Sequence, residues 1–247
     1  MNNINNMCEP TKKIFFDKLF PKMNGVSLNN LKIDTESISY ITTPHESKKI
    51  TDIIVKHISN SKNAKDSVLI DATGGVGGDT IMLATQFGSV ISIEIETDRY
   101  NLLKHNVEEY KYNNITVING DSLIIIPKLP HVDVIYVDPP WGGKDYKTKE
   151  NLRLLLGTTE LESFILNCFN SEIMICIPKL MALKIPKNYD LKYLYEKISH
   201  MFDIYLYQLK KINILVLEQK PQIIQRISSS SSSSETLGTN SSCPLFL

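Results

Sequence analysis

A glycine-rich run at residues 71–79, DATGGVGGD, is the first segment of this chain whose residue types point to chemistry. It follows a short apolar stretch at residues 68–70 and precedes a helical pattern that begins near Asp79. Glycines at a strand-to-helix turn let the backbone bend sharply and come close to a ligand. The run lacks the register of a dinucleotide fingerprint and the Lys-Ser/Thr pair of a phosphate loop. By itself it therefore indicates either a nucleotide-type site or a plain turn.

Acidic residues follow the next two predicted strands. Glu94 comes about twenty residues after the glycine run, a spacing at which a carboxylate can accept hydrogen bonds from both hydroxyls of a ribose. Glu96 lies on the same face of its strand and is the alternative. Asp121 ends the following strand, where its side chain could hold an adenine amino group. Because the glycine run contains no phosphate-binding lysine, these residues fit S-adenosyl-L-methionine better than NAD or ATP.

A turn of sequence DPPWGG, residues 138–143, directly follows the fourth predicted strand. Its two prolines fix an extended, rigid path, so the Asp138 carboxylate and the proline carbonyls point in one direction. Trp141 is the single tryptophan of the chain. A lone tryptophan is often a core residue, but Asp-Pro-Pro before it and Gly-Gly after it are unusual neighbours for one.

Methyl transfer to the exocyclic amine of a nucleobase is the chemistry that needs such a turn. The amine is a weak nucleophile because its lone pair is delocalised into the ring, so acceptors must hold its hydrogens. We predict that Asp138 and the carbonyl of Pro139 are these acceptors and that Trp141 stacks on the base. The reaction requires no metal and no nucleophilic side chain, and the proton can leave to water.

The composition excludes several classes of protein. The chain has 247 residues, 42% of them hydrophobic, which is enough for one α/β domain with an extension. Lys plus Arg and Asp plus Glu both number 27, so the zero net charge argues against coating of duplex nucleic acid. The four cysteines form no CxxC pair, which favours a reducing compartment. Without a secretory signal or an apolar run of about 20 residues, we expect a soluble intracellular protein, nuclear or cytoplasmic.

Strand and helix patterns alternate along the chain. Residues 45–58 form a helical pattern with Thr43 as the expected cap and Pro44 at the first position. Residues 171–178, SEIMICIP, have the pattern of a strand, and residues 204–219 have that of a hairpin. This order predicts a mostly parallel sheet wound with helices and an antiparallel hairpin at its C-terminal edge. The predicted divisions are a disordered tail (1–10), a helical N-terminal extension (11–60), a catalytic domain (61–222) and a Ser-rich disordered tail (223–247).

Taken together, these segments resemble the RNA cap guanine-N2 methyltransferases, the trimethylguanosine synthase family, over roughly residues 11–220. The resemblance is carried by DATGGVGGDTI, SVISIEIE, INGD and, most specifically, PPWGG followed by DY at residues 145–146. TTP at residues 42–44 and IPKN at residues 185–188 support it. The glycine loop is shared with many methyltransferases, whereas PPWGG-x-DY is typical of this family.

The resemblance implies a class I S-adenosyl-L-methionine-dependent methyltransferase with a Rossmann-like α/β fold. It implies transfer to the N2 amine of a 7-methylguanosine cap, giving 2,7-dimethylguanosine, with a second transfer to 2,2,7-trimethylguanosine left open. Trp141 would stack on the cationic 7-methylguanine. The implied cofactor-binding residues are Thr43, Asp71, Thr73, Gly74, Gly75, Gly77, Glu94, Asp121 and Asp138.

The implied substrate is capped RNA or a free cap nucleotide, bound by a monomer with no metal and no membrane. Lys144 and Lys18 are the expected phosphate contacts, and Asn188 is a further expected substrate contact. Family members often carry Ser at the position of Asp138, so the amine site here departs from that pattern. The Ile-, Lys- and Asn-rich composition is typical of an AT-rich genome, such as that of a protist or a large DNA virus.

Two alternatives stay open at this point. An amine methyltransferase acting on DNA adenine or cytosine, or on ribosomal RNA guanine, would also use an Asp-Pro-Pro-aromatic turn. A catalytically silent cap-binding module would need Trp141 but would not use Glu94 and Asp121.

Overall fold

A computed structural model describes residues 16–221. The strands in this part of the chain are β1 (Val68–Asp71), β2 (Ser89–Glu94), β3 (Ile115–Asn119), β4 (Val134–Val137), β5 (Leu155–Leu156), β6 (Thr159–Glu160), β7 (Leu180–Pro186), β8 (Phe202–Gln208) and β9 (Ile212–Gln219). Seven of them form one sheet in the order β3-β2-β1-β4-β7-β9-β8, and β5 and β6 form a separate two-residue pair.

Helices cover both faces of this sheet. After the helical residues 16–19, the α-helices are α1 (Ser37–Tyr40), α2 (Pro44–Ile58), α3 (Gly78–Ala84), α4 (Thr97–Tyr110), α5 (Ser122–Ile125), α6 (Leu161–Cys168) and α7 (Leu191–Ile198). Alternate residues of the central strands supply two separate cores: Ile70 and Ile135 belong to one, and Leu69 and Tyr136 belong to the other. None of the helices between residues 16 and 221 has the length and apolar character needed to cross a bilayer.

The predicted α/β fold is confirmed. Strands β1 to β4 and β7 run parallel, and the hairpin of β8 and β9 adds two strands, with β9 antiparallel to both neighbours. The chain runs outward from β1 to β3 and then returns to place β4 on the other side of β1. Ligands of such sheets bind at this reversal of strand order, beyond the carboxyl ends of the strands.

The strand prediction for residues 171–178 is wrong. These residues form turns, with Ile175 66% exposed, whereas the strand is β7, in which every residue is buried. The alternating apolar pattern of residues 173–177 imitates a strand, but only β7 pairs with neighbours on both sides, β4 and β9. Ile185 and Pro186 of the IPKN step therefore end a central strand.

The N-terminal part of the described chain packs against the sheet domain. Residues 16–19 are helical, and Phe20 and Leu31 form a small core with Val76 and Ile81. Helix α2, assigned to the extension, contributes Ile50, Ile54 and Ile58 to the core that contains Leu69. The boundary at residue 60 stays a prediction. The predicted tails, 1–10 and 223–247, lie outside the described residues.

Candidate active site

The glycine loop connects β1 to α3 at the reversal of strand order. Gly75 and Gly77 have φ angles of +54° and +99°, which L side chains rarely adopt. Gly74 is packed against β2, so that an added Cβ would lie 2.4 Å from Ser92 Oγ. At Gly75, by contrast, no heavy atom lies within 4 Å of the position a Cβ would take. The loop therefore presents bare backbone toward open space, as a ligand cradle requires.

Glu94 ends β2 beside this loop. Its Oε2 accepts the Gly75 amide at 2.7 Å, and its Oε1 accepts the Glu96 amide at 2.8 Å. Burial raises the pKa of Glu94, and these amide hydrogen bonds oppose that rise. Each carboxylate oxygen has two lone pairs, so both oxygens can still accept a hydroxyl. Glu96 is exposed, which favours Glu94 over it as the candidate ribose acceptor.

Asp71 has its carboxylate turned into the protein. Oδ1 accepts the Thr73 amide at 3.2 Å, and Oδ2 accepts the Thr80 hydroxyl at 2.6 Å. Burial raises the pKa of Asp71 to about 7. This residue braces the two ends of the glycine loop, and its predicted contact with the cofactor would be made through the loop it holds.

Asp121 caps α5 at the carboxyl end of β3. Its Oδ1 accepts the Leu123 amide at 2.9 Å. No hydrogen bond within residues 16–221 uses its other oxygen, Oδ2. Asp121 and Glu94 lie at the ends of paired strands, since Glu94 is in register with Asn119. Both carboxylates therefore lie on the same edge of the sheet as the glycine loop.

The DPPW turn begins where β4 ends, next to β1. The Asp138 amide donates to Thr73 Oγ1 at 2.8 Å, which ties this turn to the glycine loop. Pro139 is buried, and Asp138 is partly exposed. Burial raises the pKa of Asp138 to about 6, although the Lys184 ammonium acts in the opposite direction. A carboxylate thus lies at the junction of the two predicted motifs.

A buried polar network behind Asp138 was missed by the sequence reasoning. Lys184 Nζ lies 2.6 Å from both Asp138 Oδ2 and Thr42 Oγ1. Thr42 donates to Asp79 Oδ2 at 2.6 Å, and Tyr136 donates to the same oxygen at 2.9 Å. The available signal was a lysine in an otherwise apolar strand, LMALKIP, because a buried charge needs a partner.

Trp141 is partly buried beside Tyr146. The two ring centroids are 5.1 Å apart with an interplanar angle of 74°, an edge-to-face contact. Trp141 packs against both main cores, and its Nε1 is buried without a hydrogen-bond partner in the described residues. Asn188 donates to the carbonyls of Tyr146 and Lys149, each at 2.7 Å, and so holds the segment that follows the turn.

Two predicted residues, Thr43 and Lys18, lie away from these contacts. Thr43 is exposed and caps α2, where its Oγ1 accepts the Glu46 amide at 3.4 Å, so it is the preceding Thr42 that enters the buried network. Lys18 is exposed, and no described contact joins it to the DPPW turn. The backbone of Lys144 lies in the 3-10 segment Gly143–Thr148 directly after the turn, and its side chain lies outside the described part of the structure. Their predicted contacts with cofactor or phosphate stay predictions.

A family model described as RNA cap guanine-N2 methyltransferase matches residues 66–225. The chain belongs to this family. The match covers the glycine loop, both acidic strand ends and the whole DPPW turn. The protein is a methyltransferase, and its cofactor is S-adenosyl-L-methionine. The loop fits this cofactor, because the Gly75 backbone faces open space and carboxylates suited to hydroxyl and amino groups flank it.

Individual relatives differ in what they act on. Protein L320 of Acanthamoeba polyphaga mimivirus is 29% identical over 81% of this chain and 84% of its own length. The trimethylguanosine synthase of Schizosaccharomyces pombe is 30% identical over 62% of each chain. Ribosomal RNA small subunit methyltransferase J of Francisella tularensis subsp. novicida is 33% identical over 41% of this chain and 46% of its own. The chain thus spans less than two thirds of the two named enzymes.

A solved structure supports the fold. Precorrin-6y C5,15-methyltransferase from Geobacter metallireducens superposes with a TM-score of 0.53 at 13% identity, covering 81% of this chain and all of the other. Residues 16–221 contain no cluster of three or more His, Cys, Asp or Glu side chains that could hold a metal ion.

Proposed function

We propose that this methyltransferase transfers a methyl group to the exocyclic N2 amine of a 7-methylguanosine RNA cap. The observation that carries the proposal is the hydrogen bond from the Asp138 amide to Thr73 Oγ1, 2.8 Å long. It joins an acceptor carboxylate and the adjacent Trp141 directly to the glycine loop. The family match supports guanine N2 as the acceptor.

In this proposal, the chain's own groups activate the amine. S-adenosyl-L-methionine, when bound, supplies an electrophilic methyl group on a sulfonium sulfur. Asp138 Oδ1 and the Pro139 carbonyl accept the two N–H groups of the amine, which turns its lone pair out of the ring conjugation. The bound cofactor would supply the methyl group to the amine nitrogen and keep the sulfonium electron pair as a neutral thioether, and the methylated amine would lose its extra proton to water.

Trp141 provides the platform for the base. N7 methylation gives guanine a positive charge, and a cation over an indole face gains about 1–2 kcal/mol when water is excluded. The edge-to-face contact with Tyr146 limits rotation of the Trp141 ring. Stacking therefore fixes both the choice of base and its angle of approach.

The remaining predicted residues take positions around this centre. Glu94 and Asp121 are the proposed cofactor contacts, Asp71 and Thr73 shape the loop, and Thr43 is a further proposed cofactor contact. Lys144 and Lys18 are the proposed phosphate contacts. Asn188 shapes the segment that carries Tyr146, so its effect on substrate would act through that segment. We propose that the protein acts as a monomer on capped RNA in the nucleus or cytoplasm.

The test offers four substrates to the purified protein with labelled cofactor: m7G-capped RNA, the same RNA with an unmethylated cap, a ribosomal RNA fragment and DNA. We expect label on m7G-capped RNA, and mass analysis of the released cap will give the number of methyl groups. Label on ribosomal RNA alone would favour the activity named for the Francisella relative. Cap binding without product would identify a silent cap-binding module.

A further inference from the structure

Lys184 makes the one charged contact of the Asp138 carboxylate among the described residues. It lies in the middle of a fully buried strand, β7, with 6% of its side chain exposed. Its Nζ is 2.6 Å from Asp138 Oδ2 and 2.6 Å from Thr42 Oγ1. The same Nζ lies 5.7 Å from the centroid of the Trp141 ring. One buried cation therefore contacts both predicted substrate-handling side chains.

The contact with Lys184 gives the two carboxylate oxygens of Asp138 different roles. Oδ2 is held by Lys184, while no hydrogen bond within residues 16–221 uses Oδ1. A charge-assisted hydrogen bond is short and directional, so it fixes the rotation of the carboxylate as well as its charge. Oδ1 is thereby left as the acceptor available to a substrate.

We infer that Lys184 is a positioning residue for methyl transfer, one that keeps Asp138 ionised and its Oδ1 aimed at the acceptor amine. The inference rests on the proposed function, because it needs Asp138 to act on an amine. A neutral Asp138 would carry a proton on the oxygen that must accept. An unheld Asp138 would rotate away from the amine.

The acidic groups around Asp138 oppose its ionisation, so a nearby cation is needed to keep it ionised. Asp71 and Asp79, from β1 and α3, are further carboxyl groups near it, and Tyr136 from β4 donates to Asp79. Glu46 from α2 adds negative charge on the Lys184 side. Burial lowers the pKa of Lys184, but the carboxylates of Asp138 and Asp79 raise it above its ordinary value. Lys184 is thus the cation that offsets a cluster of acids.

The primary experiment replaces Lys184 with methionine, which keeps the chain length and removes the charge. We expect Lys184→Met to bind S-adenosyl-L-methionine within about twofold of wild type and to lose at least about tenfold in kcat at pH 7. The acidic limb of its kcat–pH profile should move up by at least about one pH unit, because Asp138 would then ionise only at higher pH.

Lys179→Met is the matched control. Lys179 pairs with Asp133 at 3.3 Å just before the other end of β7, so its loss also removes an ion pair of this strand. Its pH profile should match wild type. A Lys184→Met profile with an unmoved acidic limb, or with unchanged kcat, would overturn the inference.

A second measurement requires neither the Lys184→Met variant nor enzymatic activity. In protein with ¹³C-labelled Asp carboxyls, assigned by comparison with Asp138→Asn, we expect the Asp138 signal to titrate near pH 6. A carboxyl still protonated at pH 7.5 would overturn the inference even if Lys184→Met fails to fold. Failure of cap methylation in wild type, with the titration as expected, would instead count against the proposed function alone.

Discussion

At the scale of single residues, the packing role of Trp141 can be separated from its proposed role as a stacking platform. Its indole packs against both cores, while the ring is only partly buried and follows a rigid turn next to the glycine loop. A purely structural tryptophan would affect folding and every ligand together. A stacking platform would affect the cap alone.

Trp141→Ala should therefore weaken binding of 7-methylguanosine triphosphate about five- to thirtyfold, because this range corresponds to the loss of about 1–2 kcal/mol of cation–π attraction. Cofactor affinity should stay within about twofold. Titration calorimetry with each ligand measures both. Equal losses for cap and cofactor would identify Trp141 as a core residue.

Asp138 provides the second test at this scale. Asp138→Asn keeps an acceptor oxygen but removes the charge, so kcat should fall about 10²-fold, as for other electrostatic groups at a reacting centre, while cap affinity changes little.

In wild type, kcat should fall as the pH drops through about 6, because protonation removes the acceptor. The variant should lack this limb. Asp66→Asn, at an exposed carboxylate, is the control, and a wild-type profile flat from pH 5 to 8 would contradict the assignment.

At the scale of elements, the glycine loop works only because it lies tightly on β2. Gly74 donates to the Ile93 carbonyl at 2.8 Å, and its missing Cβ leaves room for Ser92 and Leu103. Gly75 then presents its amide to Glu94. The glycine loop and Glu94 are thus directly connected by a hydrogen bond.

Gly74→Ala should push the loop off β2, since the new Cβ would lie 2.4 Å from Ser92 Oγ. We expect cofactor affinity to fall at least about tenfold, because the Gly75–Glu94 contact shifts with the loop. Gly25→Ala is the control: Gly25 has a φ of +80° but open space around it, so this change should cost stability and leave cofactor binding unaltered. Wild-type cofactor affinity in Gly74→Ala would show that the loop does not carry the site.

At the scale of the whole molecule, the zero net charge limits how the protein would hold the proposed RNA substrate. A protein that follows a long polyanion gains affinity by releasing counterions from many phosphates. A protein that recognises one cationic base and a few phosphates gains little from the rest of the strand. Specificity should then reside at the cap.

Affinity for capped RNA should accordingly depend little on its length. From a cap dinucleotide to a capped 20-mer at about 0.15 M salt, we expect less than about a threefold gain, with a salt slope that reflects only the few cap phosphates. Fluorescence anisotropy over a salt series measures both quantities. A steep slope that grows with RNA length would reveal an RNA-binding surface beyond the cap.

Much of the fold could be predicted because the signals are local. Thr43 and Pro44 begin α2 as expected, the glycine run joins β1 to α3, and the 204–219 hairpin forms. Periodicity, capping residues and turn glycines act over a few neighbouring residues, so they can be read along the chain. The predicted strand at residues 171–178 was the exception. Its apolar pattern resembles that of a strand, and only the pairing within the sheet shows that β7 is the strand instead.

The sequence by itself determined the fold class, the glycine loop between β1 and α3, and the DPPW turn after β4, because each depends on residues close together in the chain. Only the tertiary structure brought Lys184 to Asp138, 46 residues away, and made Thr42 the second partner of Lys184. These contacts exist because the strand order places β4 between β1 and β7. A buried lysine indicates that a counter-charge is near, but the topology of the sheet decides which carboxylate it meets.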